Sequence, residues 1–362
     1  MRILDKYILK AFLAPFLFGV FTFTSIFVGT GTLFRIAQFI TEYGASLWSV
    51  SRAFVLALPS IVVLTFPMSV LLGSLLAFGK LSGSSELIVM RTGGQSFQQL
   101  ARPVYILALL ISLGTTLFNE YVVPRANHAY QTIVREEIKG QASLPTQNHV
   151  LLKQVSGNEI QAIMYASSFN QESKILKGVT VQEFSNGAVS RIETANRAIW
   201  NGSDWIMEDG IIHEVNPDGA VQRSLKFKEQ SMPIRTNPTQ VSAEQRDRDE
   251  MTIKELLATI KILKAADKPT AKYYMTIYER FSIPLASFIF ALVGACLGMQ
   301  PQRSSSSKGF GISVIIIFLY YGVITLTQAL GNGGVLPPII AAFFPDFLGL
   351  LAGIYLNYRA SR

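Results

Sequence analysis

The residue types that make and break bonds are sparse in this chain, and their spacing excludes more than it offers. His149 and His213 each lack a Ser, Cys or acidic partner at a spacing that would build a nucleophile or a general base, so both are read as structural. The single cysteine, Cys296, lies in an apolar stretch, which rules out an internal disulfide and a cysteine-based metal site. The run from Gly73 to Lys80 comes nearest to a phosphate-binding loop, but one residue too many separates its glycines and apolar sequence surrounds it. No metal, cofactor or nucleotide is therefore expected on this chain, and no catalytic residue. An integral membrane enzyme is disfavoured too, because no cluster of His, Asp and Glu sits at a membrane face. Any ATP hydrolysis that drives the chain belongs to a separate subunit.

What remains are isolated charges in telling places. The segment Gly79-Lys-Leu-Ser-Gly-Ser-Ser-Glu86-Leu-Ile-Val-Met-Arg91-Thr-Gly-Gly94-Gln-Ser96 predicts a short helix near 84–92. Ser84 or Ser85 can cap it, Glu86 in its first turn suits the helix dipole, and Gly93-Gly94 ends it. Leu87, Ile88 and Met90 form an apolar knob, with Arg91 beside them. Such a helix suits insertion into a groove of another protein, and pattern alone fits an interfacial helix resting on lipid slightly better. Arg35 follows a run rich in small and hydroxyl residues, Thr24, Ser25, Gly29, Thr30, Gly31 and Thr32, and could simply orient its span or snorkel. Asp346 stands near the middle of an apolar run, where an ionised carboxylate costs at least ~2.5 kcal/mol. It must face a cavity, find a partner or stay protonated.

The elements that position these residues are membrane spans. Of 362 residues, 49% are hydrophobic and only 15% charged, which fits a polytopic membrane protein better than a soluble one. Apolar runs at Ala11 to Phe34, Ala53 to Phe78, Pro103 to Val123, Phe281 to Gln300, Phe310 to Leu330 and Leu336 to Tyr358 are each long enough to cross a hydrocarbon core about 30 Å thick, which takes roughly 20 residues. Trp48 marks an interface, and Pro103 and Pro337-Pro338 are placed in first turns. The N-terminus runs into the first span without a cleavage site and is read as uncleaved. The net charge of +8 sits mostly beside the spans, without the dense basic cluster or aromatic motif of a nucleic-acid binder. Arg2, Lys6, Lys10, Lys80, Arg91, Arg102, Arg303, Lys308, Arg359 and Arg362 fall on one side, and only Arg35 and Arg52 in short loops of the other. Basic residues resist translocation, so both termini are expected in the cytoplasm and the middle domain outside, in the periplasm of a diderm bacterium.

That middle domain alternates with period two, which indicates half-buried strands. The segments begin at His149, Glu159, Val179, Ala198, Trp205, Ile211 and Val221, with turn signals at Ser156-Gly-Asn, Asn186-Gly187, Asn201-Gly202, Asp209-Gly210 and Asp218-Gly219. An antiparallel all-β sandwich or jelly roll follows. It could bind a ligand between its sheets, pair edge strands with another β protein, or act as a rigid spacer. Beyond it, Thr252-Ile-Lys-Glu255 forms a capping box before an apolar set at Ile253, Leu256, Leu257, Ile260 and Leu263. A short helix packed on the membrane surface or on the β domain is expected, ending near Asp267-Lys-Pro269. The expected domains are 1–124 with three spans and the short cytoplasmic helix, 125–275 with the β domain and flanking helices, and 276–362 with three more spans.

Ser-Glu86-Leu followed by Val-Met-Arg91-x-Gly-Gly-x-Ser after a second span resembles the permeases of the lipopolysaccharide-export family, the LptF/LptG type. Tyr278-Glu-Arg280-Phe-Ser-Ile-Pro284-Leu, Arg303, Leu336-Pro-Pro and Phe344-Pro345-Asp346 look like that family as well, as does the layout of three spans, a periplasmic β jelly roll and three spans. The resemblance covers essentially the whole chain. It implies a permease subunit that pairs with a second permease, identical or homologous, on a dimeric cytoplasmic ABC ATPase. ATP bound to that ATPase would squeeze a central cavity and pass lipopolysaccharide, or a related glycolipid, from the inner membrane to a bridge of periplasmic jelly rolls. It further implies that Glu86 meets a basic residue of the ATPase while Leu87, Ile88 and Met90 pack in its groove. Arg35, with Thr30 and Thr32, would meet phosphates or carboxylates of the glycolipid head group. Small residues along the first span would let a neighbouring helix approach, as a lateral gate needs. Where this chain has Asp346 the family usually shows Asn, a departure that leaves a cap or kink role beside Pro345 and proton coupling both open. A mechanotransmitting or sensory membrane protein, which relays periplasmic binding without moving lipid, is the competing class.

Overall fold

A computed structural model describes residues 3–361 except 140–145, 157–158, 171–172, 186–187, 217–219, 235–237, 239–240, 242–246, 266–268 and 300–305. Arg2, Arg303, Arg362 and the turn signals Asn186-Gly187 and Asp218-Gly219 thus lie outside the described residues, as does Asp267. The chain divides into two compact units. One comprises Met1–Gly140, Arg248–Lys261 and Pro269–Arg362, and the other Gln141–Asp247 with Ile262–Lys268.

Among the described residues, six helices of the first unit are long and apolar enough to cross a membrane. Helix α1 (Ile3–Phe27) passes through a π-helical stretch, Val28–Thr32, into α2 (Leu33–Thr41). Helix α3 (Leu47–Gly83) starts where the Ser46 hydroxyl accepts the Ser49 N–H at 3.1 Å. After α4 (Glu86–Thr92), α5 (Phe97–Tyr121) opens on a capping box of Ser96 and Gln99, so Pro103 is an interior residue and not a first-turn one. Helix α6 (Val123–Ile133) and a π turn (Val134–Ile138) continue the helix of the third span to Ile138, with Arg125, Arg135, Glu136 and Glu137 in this polar extension. Helix α7 (Ile253–Ala265) carries the expected capping box: the Thr252 N–H donates to Glu255 at 2.8 Å. Its Leu256 and Ile260 pack with Met251 on Ile277 of the next helix, which gives this face a protein partner in place of the membrane surface.

The last three spans are α8 (Ala271–Gly298), α9 (Ser306–Asn332) and α10 (Pro338–Ser361). Helix α8 is the centre of the unit: 67% of its most apolar window is buried, against 17% for α9. It approaches α3 closely because Gly298 has no side chain; a Cβ there would stand 2.7 Å from the Leu75 carbonyl oxygen. Phe12, Phe78, Leu81, Phe97, Leu100 and Ala295 fill the adjoining core.

In the β unit six strands pair in chain order, each antiparallel to the next: β1 (Thr146–Ser156), β2 (Glu159–Asn170), β3 (Ile175–Ser185), β4 (Ala188–Trp200), β5 (Trp205–Val215) and β6 (Val221–Ser231). The inserted all-β antiparallel domain is present, and its connectivity is that of a meander, simpler than the Greek keys of a jelly roll. Asp209-Gly210 is not a turn. It lies inside β5, where Gly210 pairs with Phe227 and a Cβ would come within 2.4 Å of the Thr194 carbonyl oxygen. Met164, Val179, Val181 and Met207 form one core with Trp205, whose ring meets Phe169 at 5.9 Å and Trp200 at 5.4 Å.

Candidate functional site

Helix α4 stands between α3 and α5 on a tight entry: Ser85 is left-handed at φ 60°, and its hydroxyl makes no capping bond. Ser84 acts on Glu86 directly instead, donating to Oε1 at 2.9 Å, while Tyr7 of α1 donates to Oε2 at 2.6 Å. These bonds favour the ionised form and hold the Glu86 carboxyl below its ordinary 4.5, Tyr7 contributing most. The carboxylate stays at the surface. The apolar face differs from expectation. Leu87 is 3% exposed and belongs to the core with Phe97 and Leu100, and Met90 packs against the same core, so Leu87 cannot be part of a knob. Ile88 and Val89, 55% and 68% exposed, are the apolar side chains turned outward, with Arg91 exposed near the helix end.

The two arginines expected outside the membrane have different surroundings. Arg52 is engaged by Glu137 at 2.9 Å, and Ser49 donates to the same carboxylate at 2.6 Å. Arg35 on α2 is exposed and makes no hydrogen bond or ion pair with another described residue. Thr32 precedes it by three residues, about one helical turn, and is half-buried, while Thr30 is exposed and donates its hydroxyl back to the Ile26 carbonyl at 2.9 Å. Positions Gly29 and Gly31 open onto free space within the chain.

Asp346 has the partners that one sequence alone could not name. Tyr320 of α9 donates to Oδ1 at 2.5 Å, and Ser282 of α8 lies 2.6 Å from Oδ2 and 2.7 Å from the Ala342 carbonyl oxygen. At 3% exposure Asp346 joins three spans. A second clasp links α5, α7 and α8: Glu120 accepts from Arg280 at 2.9 Å and from the Ile253 N–H at 3.0 Å, and Arg280 also donates to the Met251 carbonyl. Tyr7, Tyr320 and Glu120 went unmarked in the sequence, and Ser282 stood only within a family motif, because each acts through a partner far along the chain. Among the described residues, the β unit buries one carboxylate, Glu193 on β4, which accepts from Gln230 at 3.1 Å and faces Arg191 at 3.2 Å. Burial pushes it above its ordinary 4.5. No group of His, Cys, Asp and Glu suited to a metal ion occurs among the described residues.

Among the described residues, six helices long and apolar enough to cross a membrane, the fourth of them the most buried, with an inserted antiparallel sheet and one short helix between the second and third, define a multi-pass membrane protein. The family described as lipopolysaccharide export system permease LptF/LptG matches residues 6–359, and the chain belongs to it. The chain is 23% identical over 378 aligned positions to the lipopolysaccharide export system permease protein LptG of Escherichia coli K12, covering 99% of each. It is 21% identical over 361 positions to LptG of Haemophilus influenzae, covering 95% of each.

Proposed function

We propose that this chain is the permease subunit of an ATP-driven exporter that extracts lipopolysaccharide, or a related glycolipid, from the inner membrane and hands it to a periplasmic β bridge. The family match across residues 6–359 carries this reading. In it both termini are cytoplasmic, α4 receives force from a dimeric ABC ATPase, and a second permease of the family completes the cavity. Glu86 accepts from a basic residue of the ATPase while Ile88 and Val89 pack in its groove. This is supported by a half-buried, ionised carboxylate beside two exposed apolar side chains. Arg35 serves as the head-group cation, supported by its lack of a partner among the described residues where Arg52 has one. Among the described residues, the edge strands β1 and β6 each leave one side of the sheet unpaired for a bridging β protein.

The experiment is purification through the full-length chain from its own host. An ATPase and a second permease should travel with it, and a photocrosslinker at Arg35 should capture glycolipid. E86A should lower ATP-driven glycolipid release about tenfold or more, the loss expected when one member of a charged pair is removed. A complex without an ATPase, or with no lipid adduct at Arg35, would sink the transporter reading and leave the sensory one.

A further inference from the structure

A cavity of about 700 Å³ opens where the start of α5, the end of α10 and α8 meet. Its base is polar: Asn357, 9% exposed, donates to the Tyr105 hydroxyl at 2.8 Å. Leu292 and Ile354 are apolar wall residues, and Gln98, Arg102 and Tyr358 line it as well. Arg102 makes no hydrogen bond or ion pair with another described residue, so its guanidinium is free for an anion.

From this cavity two apolar stripes run along the outside of the bundle. On α5, Ile106, Leu109 and Leu113 follow Arg102 at helical spacing and are 49%, 43% and 55% exposed. On α10, Phe347, Leu351 and Ile354 lead to Tyr358 and are 58%, 50% and 54% exposed. Residues three and four apart share a helix face, so each stripe is continuous. One cation at the membrane edge with two apolar tracks leading inward matches one anionic head and two acyl chains. A basic pocket between helices at the cytoplasmic surface suits such a lipid.

We infer that this cavity is a binding site for an anionic phospholipid of the cytoplasmic leaflet, its phosphodiester on Arg102 and its chains on the two stripes. The leaflet rests on the proposed orientation; the site itself does not. The guanidinium offers paired donors to phosphate oxygens. Gln98 lies at hand for the hydroxyls of a glycerol head group. A cavity of this size falls in the ordinary range for small-ligand sites.

Native mass spectrometry of the purified full-length chain in neutral detergent, titrated with dioleoyl-phosphatidylglycerol or dioleoyl-phosphatidylcholine, tests the site without any leaflet or ATPase. One phosphatidylglycerol should bind in clear preference to phosphatidylcholine. R102Q should weaken it about tenfold, as loss of a charged hydrogen-bonding partner does, and R102K should recover part of that. I354W, which fills the cavity from an exposed wall, should displace it too. Equal binding of the two lipids, or phosphatidylglycerol binding unchanged in both R102Q and I354W, would overturn the site, including the case in which a cytoplasmic protein covers it instead. Export activity plays no part in this readout, so its failure is separable from failure of the transporter reading.

Discussion

Glu86 and Asp346 are held by the same chemistry in opposite surroundings. Each carboxyl group is bonded by one tyrosine and one serine: Tyr7 and Ser84 at the surface, Tyr320 and Ser282 between three spans. Around Glu86 water can replace either hydroxyl, so the bonds orient the group without committing it. Asp346 has no such substitute, and an unmet buried acceptor carries its full desolvation cost. The same pair of donors therefore presents one carboxylate to a partner and uses the other as a fastening. Glu193 is a third case, buried like Asp346 but held by an amide and a guanidinium.

The largest stability effect should come from the interior. Y320F should destabilise the full-length chain by about 1–3 kcal/mol, read as a lowered Tm in detergent. D346N, which keeps an acceptor for Tyr320 and turns an amide donor toward Ser282, whose hydroxyl can still donate to the Ala342 carbonyl, should cost much less. If the two variants melt alike, the Tyr320 bond is not what secures Asp346. A smaller, pH-dependent effect should come from Glu193. Its folded pKa lies above the ordinary 4.5, so the folded state binds more protons and the β unit loses stability as pH rises through and above 4.5. E193Q should flatten that decline and raise the Tm at pH 7, followed by Trp200 and Trp205 emission in a W48F background. A steeper decline in E193Q would mean that its ion pair with Arg191 outweighs its burial. The smallest effect belongs to the surface. Y7F should leave Tm unchanged while the Glu86 carboxyl titrates closer to 4.5, seen by isotope-edited infrared spectroscopy. A Tm loss as large as that of Y320F would erase the distinction between the two carboxylates.

The spans, the inserted sheet, the short helix and the capping box at Thr252 were legible because each is written in neighbouring residues. Apolar length, alternation and cap spacing are local signals. Asp209-Gly210 misled because the pair that favours a turn also suits a strand crowded by Phe227, and the difference lies in residues across the sheet. The face of α4 was misassigned for a related reason: a seven-residue helix is too short for its periodicity to say which apolar side chains the core of α5 will claim. The partners of the charged groups were illegible altogether. Tyr7 and Glu86 are 79 positions apart, Ser282 and Asp346 64, and Glu120 and Arg280 160. Nothing in a hydroxyl's own neighbourhood announces a carboxylate that tertiary packing brings to it.

The π-helical stretch Val28–Thr32 bears on how this chain tolerates changes of length. Its N–H of Leu33 reaches back to Val28, one position further than an α-helix allows, so the wide turn stores one surplus residue. Elsewhere in the helix a deletion would turn everything beyond it by about 100°. Within Val28–Thr32, loss of one residue can close the wide turn to an ordinary one and leave both flanks in phase, with Phe12 and Phe16 still in one core and Phe39 in the other. Single-residue gaps between sequences of this family should therefore be tolerated at that stretch far better than one turn to either side, and a homologue lacking the surplus residue would keep its Arg35 counterpart pointing the same way.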